Sequence, residues 1–145
     1  MKRISVNNAK TYILLIEILK DLNIFVGRLK NLYFKKGFYL YIGSAKRGDR
    51  DRIQRHLTRI KNIFWHIDYL LSSHGVEIRQ IWITGREEEC KMAQFFGKKA
   101  YGFINRFGSS DCRCKSHLFY VKKDIMRVKN ILGQNGFKNA DKNNF

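Results

Sequence analysis

Phe38-Tyr39-Leu40-Tyr41-Ile42-Gly43 lies near the start of the second quarter of the chain. It is aromatic and aliphatic throughout and predicts a β-strand. Side chains alternate along a strand, so Tyr39 and Tyr41 share one face and Phe38, Leu40 and Ile42 the other. The closing Gly43 has no Cβ, which lets another group approach the backbone closely. Gly43-Ser44-Ala45 then leads into a polar turn, Lys46 to Asp51.

Beyond that turn, Arg52 to Ile60 reads as a helix whose apolar stripe is Ile53, Leu57 and Ile60. Trp65 to Leu71 reads as a second helix. On the N-terminal side, Thr11 to Leu19 is apolar and β-branched, a buried strand. Asp21 to Lys36 carries turn residues and a shorter apolar piece, Ile24 to Val26, read as a second strand or hairpin. Towards the C-terminus, Val76 to Ile83 predicts a strand with Gly75 at its turn. Glu87 to Phe96 predicts a helix with acidic residues where the dipole favours them and Gly97 as its stop. His117 to Val121 reads as a last strand. Asp124 is placed to cap a final helix through Leu132, ended by Gly133. The order β, β, α, α, β, α, β, α predicts an α/β fold: a small central, mainly antiparallel sheet flanked by helices. One domain covers 1–132, and 133–145, rich in Asn and Lys, is expected to be a flexible basic tail.

The chain has 145 residues, 29 Lys plus Arg against 12 Asp plus Glu, and a net charge of +17. A field that positive attracts polyanions, and with 14% aromatic residues it points to nucleic acid. Apolar residues make up 44%, too many for a disordered chain. The longest apolar run, Tyr12 to Leu19, contains Glu17 and is far short of the ~20 residues a membrane span needs. Lys10 and Glu17 also break any signal-peptide core. Three cysteines, an odd count, fit a reducing compartment, so the protein is expected to be cytoplasmic, near the nucleoid.

Four constellations carry chemistry. Arg52 and His56 are four apart and share a helical face. Together they suit phosphate, with Arg clamping the oxyanion and His moving a proton; the plainer reading is a solvated helix face. Trp65-His66-Ile67-Asp68-Tyr69 reads as core and rim. Glu87-Glu88-Glu89 offers a carboxylate suited to Mg²⁺, although three Glu at a helix start are commonly exposed surface. Cys112, Cys114 and His117 offer zinc ligands, with Cys90 as a fourth. Only Arg113 separates the two loop cysteines, fewer residues than usual structural sites have, so the plainer reading is a polar loop with locally satisfied groups.

The order of these blocks resembles a known family. Tyr41-Ile42-Gly43, then Arg52 and His56 as R-x-x-x-H, then a helical Glu89, is similar to the GIY-YIG nuclease superfamily. Gly37 to Ala45, Arg55-His56-Leu57, Trp65 to Leu71, Glu89-Cys90 and Phe107 to Cys114 resemble its DUF123 branch, over about Thr11 to Val121. Two departures stand out. Lys10-Thr11-Tyr12 is the counterpart of the GIY half, with Lys10 in place of its glycine, and Asp21 to Lys36 lengthens the segment before YIG.

The resemblance implies hydrolysis of phosphodiester bonds in DNA with one Mg²⁺ or Mn²⁺ ion, structure-selective and acting in repair or recombination. Glu89 would be the metal ligand. Tyr12 or Tyr41 would be the general base or position the water, its proton loss eased by nearby cations. Arg52 would stabilise the phosphorane and His56 assist the proton relay. His66 would be auxiliary, and Asn105 or Asp111 would stand in for a late asparagine of the superfamily. Lys46, Arg47 and Arg55 are expected to hold the nucleic acid, with recognition by shape or with help from a partner repair protein. The alternatives are a non-catalytic nucleic-acid-binding module and a zinc-stabilised interaction protein.

Overall fold

The computed structural model describes residues 8–45, 49–58, 62–110 and 112–144. Its elements are β1 (Thr11–Ile18), β2 (Leu22–Phe25), β3 (Asn31–Phe34), β4 (Gly37–Ser44), α1 (Asp49–Leu57), α2 (His66–Leu71), β5 (Val76–Thr84), α3 (Glu89–Lys99), β6 (Gly102–Phe103), β7 (Leu118–Lys122), α4 (Ile125–Gln134) and β8 (Lys138–Ala140). Six strands form one sheet in the order β6-β7-β4-β1-β5-β8, every pairing antiparallel. β2 and β3 form a separate hairpin. The expected α/β class, a mainly antiparallel sheet flanked by helices, is the observed one.

The alternation of β4 sorts the core into two layers. Tyr39 and Tyr41 face one side with Tyr12, Leu14 and Ile16 of β1, packed against Ile53 of α1 and Ile67 and Leu70 of α2. Leu40 and Ile42 face the other with Ile13 and Leu15, against Met92, Ala93 and Phe96 of α3 and Val128 and Leu132 of α4. β1 is covered on both faces as far as Ile16 and reads as an apolar run up to Glu17 for that reason. Among the described residues, no helix is long and apolar enough to cross a membrane.

The Ile24 piece, read as a second strand or hairpin, is one arm of the β2–β3 hairpin, fixed to the core by the fully buried Val26 and Phe34 at its two ends. Three details depart from expectation. Helix α3 runs through Gly97 to Lys99, because Lys98 and Lys99 favour its C-terminal dipole and Phe96 must stay on its buried face. Asp124 makes no capping bond; its carboxylate accepts the Tyr101 hydroxyl.

The third concerns residues 133–145, which are not a frayed tail. Helix α4 extends to Gln134, Phe137 is 1% exposed in the second core layer, and β8 pairs Lys138, Asn139 and Ala140 with Ile83, Trp82 and Ile81. One buried aromatic and an otherwise open edge of β5 outweigh the polar composition. The last predicted helical residue, Ile60, lies outside the described residues.

Candidate active site

The site forms where β1 begins and β4 ends. Their register places Tyr12 opposite Gly43 and Leu14 opposite Tyr41. Tyr12 and Tyr41 therefore lie diagonally on one face, with ring centroids 6.4 Å apart. Tyr12 lies directly over Gly43, and a Cβ at residue 43 would overlap its ring. Here glycine is required by space: no other residue leaves room for the Tyr12 phenol.

Helix α1 delivers Arg52 and His56 to the same place. His56 is 3% exposed, so it belongs to no solvated face. The Tyr12 Oη and His56 Nε2 are 2.6 Å apart and hydrogen-bonded. The Tyr41 and His56 rings stand edge to face at 5.9 Å. Arg52 donates to the Ser44 carbonyl at 2.7 Å, and its guanidinium lies over the Trp65 ring at 4.9 Å. The anchors leave Arg52 part-exposed at the mouth of the site.

Glu89 begins α3, and Thr11 helps to place it. The Thr11 hydroxyl donates to the Arg86 carbonyl at 2.7 Å and accepts the Glu88 N–H at 2.9 Å, joining β1 to the entry of α3. Glu88 is largely buried rather than exposed surface. Glu89 keeps 29% of its side chain exposed, with Oε2 4.0 Å from Nδ1 of His117. Thr11→Val keeps the shape but strips two backbone groups of their partner. The expected cost is about 1–2 kcal/mol, a fall of roughly 2–8 °C in Tm, read by thermal melting.

The electrostatics tie these residues together. Burial pushes the Tyr12 hydroxyl well above its ordinary range, the neighbouring Tyr41 and Glu89 add to the rise, and Arg52 opposes it. Tyr41 is raised by burial and by Glu89, again against Arg52. The expectation that cations would ease proton loss from the phenols is thus corrected. Arg52 acts in that direction, but burial outweighs it and both phenols are held protonated.

Arg55 pairs with Asp68 at 2.6 Å and lies over Trp65 at 5.0 Å, so it braces the site's wall. Asp68 is fully buried and also accepts the N–H groups of Phe64 and Trp65. His66 accepts the Gly108 N–H at 3.0 Å, and burial lowers its pKa. Gly108 has φ +71° and lies against the Tyr41 ring, so this turn favours glycine and connects His66 to the site. Lys46, Arg47 and Asp111 lie outside the described residues. Cations that the sequence reading did not assign to the interface, Arg28, Arg106, Arg113 and Lys115, line a groove shared with His66 and Asn105.

Cys90, Cys112, Cys114 and His117 come together. Their ligand atoms all lie within 4.8 Å of one another, so the cluster could hold a metal ion. Local bonds also occur in this loop, Ser116 with Leu118 and the Cys112 thiol near the Ser109 carbonyl, beside the convergence of the four ligands. Sequence spacing within the loop is a poor guide because Cys90 arrives from α3 and His117 from the start of β7.

No curated protein and no solved structure matches the chain. Comparison with protein families matches residues 11–135 to the domain of unknown function DUF123, a span that takes in Tyr12, the α1 pair, Glu89 and the cysteine loop. The chain belongs to the DUF123 family.

Proposed function

We propose that the chain is a divalent-metal-dependent endonuclease of the GIY-YIG kind that hydrolyses phosphodiester bonds in DNA. The observation that carries the reading is the convergence of Tyr12, Tyr41, Arg52, His56 and Glu89, from four separate elements, at one end of the sheet. Core packing alone does not require an Arg, a His and a Glu around two buried phenols. The net charge of +17 and the cationic groove beside His66 supply the attraction for a polyanion.

Glu89 fits Mg²⁺ or Mn²⁺, being a hard oxygen donor open to solvent that leaves the remaining coordination to water and phosphate. When bound, such an ion supplies charge to the phosphoryl oxygens and acidifies water. The chain's own residues do the rest. Water gives its proton to the Tyr12 oxygen while the phenolic proton passes to Nε2 of His56 across the 2.6 Å contact. A relay of this kind suits phenols that burial keeps protonated. Tyr41 borders the same space and orients the water. Arg52, held by Ser44 and Trp65, faces the phosphate oxygens with little reorganisation.

The test is cleavage of supercoiled plasmid and of a branched DNA with Mg²⁺ or Mn²⁺. Metal-dependent nicking is expected, and Arg52→Ala is expected to slow it about 10²–10³-fold. Circular dichroism and melting of the variant control for its fold. Tight, salt-sensitive binding with no cutting by the wild type would replace this reading with a binding module.

A further inference from the structure

The cluster of Cys90, Cys112, Cys114 and His117 lies beyond what the proposed reaction uses. We infer that it is a zinc centre of the closed, structural kind, which fastens the start of α3 to the loop between residues 107 and 117 and to β4. The inference is independent of the nuclease reading.

Three observations carry it. The first is distance. Sulfurs held tetrahedrally at about 2.3 Å from zinc are about 3.8 Å apart, and here all four ligand atoms already lie within 4.8 Å. Closure by about 1 Å completes the site.

The second is the orientation of His117, which is 2% exposed. Its Nδ1 is 3.0 Å from the Ile42 carbonyl, and a carbonyl only accepts. The ring proton therefore sits on Nδ1, and the lone pair of Nε2 points towards Sγ of Cys112, 3.2 Å away. A histidine that donates one ring nitrogen to a backbone carbonyl and offers the other is oriented as metal ligands are.

The third is the framing of the loop. Its ends are closed by backbone bonds from Arg106 to Lys115 at 2.6 Å and from His117 to Phe107 at 2.8 Å. That closure turns both loop cysteines towards Cys90 despite their one-residue spacing. All three thiols are free, so no disulfide competes.

Three thiolates and an imidazole are soft donors that favour zinc over Mg²⁺ or Ca²⁺. On metal entry each thiol gives a proton to solvent and forms one S–Zn bond, and four protein ligands leave no open position for water. The cluster is thus distinct in chemistry from the Glu89 carboxylate beside it. Because Cys90 directly follows Glu89, the centre would also fix where Glu89 stands. That consequence alone rests on the nuclease reading.

The experiment is elemental analysis of the 145-residue chain purified without chelator, joined to reconstitution of metal-free protein with Co²⁺ under reducing conditions. The expected result is about one zinc per chain, retained in excess Mg²⁺, and a Co²⁺ spectrum with the intense bands of a tetrahedral, thiolate-rich site. Cys114→Ser is expected to lose the zinc, while Cys90→His, which supplies another zinc donor, retains it with altered Co²⁺ bands. Should Cys114→Ser fail to fold, the wild-type Co²⁺ spectrum decides by itself. Substoichiometric zinc together with the weak spectrum of hydrated Co²⁺ would overturn the inference. Failure of a zinc-loaded protein to cut DNA would count against the nuclease and leave this result standing.

Discussion

Glu89→Gln is expected to abolish metal-dependent cleavage, by about 10³-fold or more, while leaving nucleic-acid binding intact. Each factor of ten corresponds to about 1.4 kcal/mol of transition-state stabilisation, and an ion acting on a phosphoryl oxygen contributes several kcal/mol. Glutamine keeps the size of the side chain and removes the anionic oxygen that a hard cation requires. The fold has little to lose, since the carboxylate is part-exposed and stands 4.0 Å from the His117 ring. The favourable placement of an acid in the first turn of α3 is worth only about 0.3–1 kcal/mol. Binding is expected to tighten slightly at low salt, because one negative charge leaves a strongly basic protein. Single-turnover cleavage and fluorescence anisotropy against salt concentration separate the two effects. A variant that cuts at the wild-type rate would remove Glu89 from the mechanism, and one that no longer binds would move its role to the nucleic-acid interface.

What was legible in the sequence was local. Period-two alternation in residues 38–43 assigns Tyr39 and Tyr41 to one layer and Leu40 and Ile42 to the other, as the two cores are built. Four-residue spacing places Arg52 and His56 on one side of α1, where both meet Trp65. What stayed hidden depends on long-range pairing. The fit of Tyr12 over Gly43 needs the β1–β4 register, which joins residues 31 apart. Cys90 meets Cys112, Cys114 and His117 only after α3 packs on the sheet, so loop spacing spoke against the cluster. Composition misled at the C-terminus, where a polar stretch contains one buried aromatic, Phe137, and a strand that finishes the sheet. The phenols were read without their burial, which reverses the direction of their titration.

Asp68 was read as part of a core-and-rim segment, and its loss is expected to damage the fold more than any site residue does. Its Oδ2 accepts from Arg55 at 2.6 Å, Trp65 at 2.8 Å and Phe64 at 2.9 Å. One fully buried carboxylate thus caps the start of α2, closes the loop before it, and holds the arginine that lies over Trp65. Asp68→Ala leaves a part-buried guanidinium and two N–H groups without that acceptor. Breaking such a pair costs about 3–5 kcal/mol, and the partial exposure of Arg55 places the expected value near ~3 kcal/mol. In a chain of 145 residues this is a fall in Tm of roughly 6–12 °C. The acid limb of the stability curve provides an independent check. Burial raises the Asp68 carboxyl, but the Trp65 N–H, Arg55 and the Phe64 N–H outweigh it and hold its pKa below the ordinary value. A group depressed in the folded state binds more protons when unfolded. Its stabilisation is therefore complete above the unfolded pKa of about 3.9 and is lost as pH falls through the folded value. Asp68→Asn, which keeps an acceptor for the N–H groups but cannot ionise, is expected to flatten stability against pH below about 4. Equal acid limbs for wild type and Asp68→Asn in urea melts would show that the Arg55–Asp68 pair does not brace the wall of the site.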